Sequence, residues 1–77
     1  MMGGTRRDLH SAILDATEIL LARSGYQQMT MEDIAKEAGV ARRTIYLHFK
    51  GKEEVALSSI DRVVERLLEQ LRSLAAE

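Results

Sequence analysis

The sequence predicts an all-α chain in which three helices form a small bundle and a longer fourth helix follows. Two observations carry this prediction. Apolar residues recur at steps of three and four along most of the chain, and no stretch shows the period-two alternation of a half-buried strand. Capping residues and glycines then divide the periodic pattern into separate helices.

In the first helix, Leu9, Ile13, Ala16 and Leu20 fall on one face, with Ala12 and Ile19 beside them. Thr5 and Asp8 resemble a capping box, which sets the start near Arg6. Gly25 is a natural stop, because glycine enters the left-handed conformation at little cost. The helix is expected at about 6–24, preceded by a flexible arm (residues 1–5) that leads into the basic pair Arg6 and Arg7.

Tyr26, Gln27, Gln28 and Met29 read as a short connector, with Tyr26 plugging the core against the first helix. Thr30 followed by Asp33 is a second capping signature. Ile34, Ala35 and Ala38 give the next helix its apolar face, and Gly39 ends it, so this helix is expected at 31–38. Val40 follows as a buried turn residue. The third helix, at 42–48, offers only Ile45 and Phe49 to a core, and its other positions face outward. Lys50 and Gly51 break the chain. The fourth helix starts at Lys52 and runs to about residue 76, with Glu53 and Glu54 suited to the positive end of its dipole.

Composition narrows the chemistry. With 77 residues the chain makes one small domain, and 45% hydrophobic with 30% charged residues is a globular balance. It has no cysteine, which excludes disulfides and thiolate metal sites and fits a reducing cytosol. His10 and His48 are far apart in sequence, so no metal pair is suggested. No apolar run is long enough to span a membrane, and the N-terminus lacks the apolar segment of a signal peptide. A thiol nucleophile, a metal cluster and a glycine-rich phosphate loop are all missing, so no enzyme and no cofactor are expected. The net charge of −1 hides an asymmetry. Residues 1–52 hold eight Lys/Arg against six Asp/Glu, whereas residues 53–77 hold three against six. Basic residues gather at Arg6 and Arg7, at Arg42 and Arg43, and at Lys50 and Lys52.

The central motif runs from Ile34 to Ile45. Ala35 is small enough for two helices to approach closely, Gly39 takes the turn, and Val40 pins that turn to the core. These features build a helix-turn-helix, whose second helix enters the major groove of DNA. A plain αα-hairpin is the alternative, but it has no need for Arg42, Arg43 and Thr44 on one turn with Tyr46 and His48 on the next. The fold class is then a three-helix helix-turn-helix (homeodomain-like) bundle followed by a longer fourth helix.

The stretch from Thr30 to Lys52, TMEDIAKEAGVARRTIYLHFKGK, resembles the TetR-family signature. In that signature a threonine-capped helix leads through I-A-x-x-A-G-V to T-[LI]-Y-x-[HY]-F-x-x-K. Ile13 to Ala16 and the Gly25-Tyr26 corner extend the resemblance over about residues 10–60. It implies a DNA-binding head that acts as a homodimer on a palindromic operator, usually in repression. It further implies a bacterial cytoplasmic, nucleoid-associated location. Departures are Ala41 where the family often has a capping serine, Gly51 for serine or asparagine, and Leu21 for the usual phenylalanine.

The resemblance also assigns roles by position. Thr44 is expected at a phosphate or a thymine methyl, with plain helix surface as its alternative. Tyr46 is expected to reach phosphate through its hydroxyl, or else to pack partly buried on the first helix. His48 and Lys52 match backbone contacts. Arg42 and Arg43 are candidate readers of guanine, with phosphate contact the alternative for each. Thr30 offers a hydroxyl or a helix-end amide to phosphate besides its capping role.

In the fourth helix Leu57, Ile60, Val64, Leu67, Leu71 and Leu74 form a stripe at steps of 3, 4, 3, 4 and 3, widened by Val63 and Leu68. Its first turns are expected to close the core. Its later turns need a partner surface. The resemblance supplies one, a C-terminal domain outside these residues that binds a small-molecule effector and dimerises. Self-association of the helix as a heptad seam is a second possibility. An interaction module that dimerises through this helix and binds no DNA is the competing reading of function.

Overall fold

The computed structural model describes the backbone of residues 5–76 and the side chains of residues 9–76. Among the described residues five helices follow one another: α1 (Thr5–Arg23), α2 (Gly25–Gln28), α3 (Met31–Ala38), α4 (Arg42–His48) and α5 (Lys52–Ala75). There is no strand among the described residues, and no helix there is long and apolar enough to cross a membrane. Of the expected arm at residues 1–5, residues 1–4 lie outside the described residues, as do the Thr5–Asp8 cap and the side chains of Arg6 and Arg7, whereas Thr5 is the first residue of α1.

Helix α1 packs against α3 and α5, and α3 packs against α4. At the centre Ile13, Met29, Ile34, Ile45 and Val55 are fully buried, one each from α1, the α2–α3 link, α3, α4 and α5. Leu14, Ala16, Leu20, Met31, Ala35, Phe49 and Ala56 complete the core. Because α1 is covered on two sides, its buried face is wider than one apolar stripe and takes in Leu14 and Thr17. Ile19, by contrast, is 46% exposed and not part of that face. The buried Thr17 hydroxyl donates to the Ile13 carbonyl at 2.8 Å, which offsets the cost of removing it from water.

The expected connector after α1 is in part a single helical turn, α2. Gly25, at φ 85°, breaks α1 from it, and the Met29 N–H closes the turn on the Gly25 and Tyr26 carbonyls. Tyr26 is not the expected core plug. It is 40% exposed, and Met29 fills the core position instead.

The register of α5 also departs from expectation. Its core-facing residues are Val55, Ala56 and Ser59. At about 100° per residue, the stripe from Leu57 to Leu74 points about a third of a turn away from them. Leu57, Ile60, Val64, Leu67, Leu71 and Leu74 are 44–71% exposed, so even the first turns of the stripe do not close the core. The small Ala56 and Ser59 let α5 lie close against α1.

Further along, the α1–α5 contact becomes ionic. Arg62 donates to Asp15 at 2.7 Å and, through two nitrogens, to Glu18 at 2.7 and 3.2 Å, and Arg66 donates to Glu18 at 2.6 Å. Burial acts to lower the pKa of Arg62, but the hydrogen bonds and negative charges of Glu18 and Asp15 outweigh it. The guanidinium is held above its ordinary value.

A candidate nucleic-acid interface on helix α4

The site begins with the capping of α3. Thr30 Oγ1 accepts from the Asp33 N–H at 3.0 Å, and Asp33 Oδ2 accepts from the Thr30 N–H at 3.2 Å, a complete capping box. At the other end Gly39 adopts φ 73°, ψ 32°. Its N–H bonds to the Lys36 carbonyl at 3.2 Å and the Val40 N–H to the Ala35 carbonyl at 3.0 Å. These two bonds define a Schellman motif, and they turn the chain sharply into α4. Helix α4 has no side-chain cap at Ala41, as its sequence suggests, and its first turn rests on the Thr44 N–H to Ala41 carbonyl bond at 3.0 Å.

Ile45 and Phe49 bury one side of α4, and this fixes what the other side shows. Arg42, Arg43, Tyr46 and Leu47 are exposed, with Thr44 and His48 half-buried at the margins. The Arg42 guanidinium lies 6.0 Å from the Tyr46 ring centre, one turn apart on the helix. Tyr46 is 46% exposed. The His48 ring belongs to an aromatic group with His10 and Phe49, at 5.7 and 6.3 Å between centroids.

Charge pairing separates the arginines of this helix from the other described arginines. Among the arginines with described side chains, Arg23, Arg62, Arg66 and Arg72 each pair with a carboxylate. Arg42 and Arg43 pair with none among the described residues. Their charges stand side by side and uncompensated on the outward face.

Thr30 and Lys52 belong to other elements, at the starts of α3 and α5. Thr30 Oγ1 is engaged in its cap. Lys52, half-buried, donates to the Tyr26 carbonyl at 2.8 Å, with its ammonium 4.3 Å from the Tyr26 ring centre. Sequence reasoning missed this partnership, because the two residues are 26 positions apart. It also passed over Leu47, although the four-residue spacing of Ile45 and Phe49 puts Leu47 on the opposite side of α4.

The α3–turn–α4 unit, with its second helix cationic and exposed, defines a helix-turn-helix domain. Residues 13–58 match the sequence model of the bacterial regulatory proteins of the tetR family, and the chain belongs to that family. The chain is 38% identical to the fatty acid metabolism regulator protein of Bacillus subtilis, with 91% of the chain and 38% of that protein covered. Its fold is similar to that of the fatty acid degradation regulator FadR from Bacillus halodurans, with a TM-score of 0.84 and 36% identity. That match covers 100% of this chain and 39% of the FadR chain. A TetR-family transcriptional regulator from Haemophilus influenzae superposes with a TM-score of 0.79 at 40% identity, over 90% of this chain and 38% of the other. The chain thus spans less than half the length of these relatives. They are regulators and not enzymes, as the residue inventory led us to expect.

Proposed function

We propose that this chain is the DNA-reading head of a transcriptional repressor that acts as a homodimer on a palindromic operator in the bacterial cytoplasm. The observation that carries this reading is the uncompensated Arg42–Arg43 pair on the exposed face of a helix-turn-helix second helix. Residues 6–52 form the reader. Helix α4 lies in the major groove, where Arg42 and Arg43 contact guanine edges or flanking phosphate and Thr44 contacts phosphate or a thymine methyl. Tyr46 donates to phosphate from the exposed face and His48 from its margin. Thr30 does so at the start of α3, where helix-end amides also face outward. Lys52 has donors left after its bond to Tyr26, and these reach phosphate as a charge held in place.

Residues 52–76 link the reader to a C-terminal domain that binds a small-molecule effector and dimerises. The exposed stripe from Leu57 to Leu74 supports this, since an apolar face of that length needs cover. The effector alters the spacing of the two heads and so couples ligand binding to DNA release.

The test is selection of genomic fragments by the chain, held as a dimer through a fused dimerisation domain, at about 0.15 M salt. Enrichment of a palindrome that disappears with Arg42→Ala or Tyr46→Ala supports the reading. The second reading, an interaction module that pairs through α5, also draws on the exposed stripe. It predicts no enriched sequence, and α5-dependent association unaffected by either substitution.

A further inference from the structure

Leu47 is 83% exposed, the most exposed large apolar side chain among the described residues. A solitary exposed leucine is ordinary in itself. Its setting is not. It stands two residues from both Ile45 and Phe49, the buried anchors of α4, and therefore faces away from the core. Arg43 precedes it by one turn and Thr44 lies three residues before it, so an apolar group sits amid the polar side chains of this face.

We propose that Leu47 is a base-reading residue that packs against the C5 methyl of a thymine in the major groove. This rests on α4 being the groove helix. The base edges there present hydrogen-bond donors, acceptors and one apolar group, the thymine methyl. Leucine has no hydrogen-bonding atom. Against a donor or acceptor it displaces water and returns no bond, which is costly. Against the methyl it removes apolar surface from water on both sides. Leu47 is thus complementary to thymine and disfavours the other bases.

The test replaces each thymine of the selected operator in turn with uracil, which differs only in the C5 methyl, and measures the dissociation constant. The wild-type dimer should lose about fourfold at one thymine per half-site, the worth of one methyl group. Leu47→Ala, which changes both protomers, should bind the thymine operator about as weakly as the wild type binds one with uracil in both half-sites, about sixteenfold, and lose nothing further on uracil substitution. This variant removes only an exposed side chain, and its helical circular dichroism should match the wild type. Leu47→Gln should move the preference at that position toward adenine. If every thymine tolerates uracil, or if Leu47→Ala keeps the full uracil penalty, the role of Leu47 is overturned while the groove reading stands. If the wild-type dimer selects no sequence, both fall.

Discussion

The ammonium of Lys52 sits 4.3 Å from the centre of the Tyr26 ring and donates to the Tyr26 carbonyl at 2.8 Å, joining the start of α5 to the short helix α2. One side chain adds a second donor to a carbonyl that the Met29 N–H already bonds, and places a cation over a π face. Lys52→Ala should therefore destabilise the free chain by about 1 kcal/mol, apart from any loss of DNA binding. Tyr26→Leu keeps the carbonyl and should cost less. Urea unfolding of the two variants distinguishes the contributions. An unchanged midpoint for Lys52→Ala would show that the contact adds nothing to stability.

The Arg62 network should be worth more than the other ion pairs. Arg62 bridges Asp15 and Glu18 across two helices with its side chain only 25% exposed, whereas Arg72 pairs with Glu69 along one turn with both ends in water. Arg62→Ala should cost about 1–2 kcal/mol and Arg72→Ala close to nothing. A double-mutant cycle with Glu18→Gln measures the coupling. A coupling indistinguishable from zero would make the network decorative.

Glycine positions should respond in opposite directions. Gly39 has open space around a Cβ but a φ of 73°, so Gly39→Ala should cost about 1–2 kcal/mol through backbone strain alone. At Gly51 the backbone is extended and the space is also open, so Gly51→Ser should gain a few tenths of a kcal/mol as a cap for α5. Ala41→Ser should stabilise α4 by about 1 kcal/mol, since Ala41 provides no capping oxygen. Thermal unfolding of the three variants reads all three signs.

Ser59 Oγ is buried with no hydrogen-bond partner among the described residues. It lines a groove between α1 and α5, with Glu18, Leu21, Ala22, Ile60, Val63 and Val64. Ser59→Ala removes an unsatisfied hydroxyl and should stabilise the isolated chain by about 1 kcal/mol. A loss of stability on the same substitution would mean that the hydroxyl is bonded in solution.

Helix positions were legible because their signals are local. Thr30 with Asp33 announces a capping box wherever the chain goes next, and Gly39 followed by Val40 announces the turn that the Schellman bonds complete. The identity of the exposed face of α4 followed in the same way, since Ile45 and Phe49 leave only one side for the arginines. Which face of a longer helix meets the core is a different kind of question. The leucine stripe of α5 is its more apolar side, and apolar periodicity names it as the buried one. The structure instead seats Val55, Ala56 and Ser59 against α1, because small side chains allow close approach and because Arg62 then meets Asp15 and Glu18. Tyr26 followed the same logic. Its ring suits a core, but Met29 fills that space, and the ring is left to hold Lys52 from a helix 26 residues away. Short-range capping and turn chemistry is written in neighbouring residues. The choice among competing apolar surfaces depends on which elements arrive alongside, and that is settled only when the chain packs.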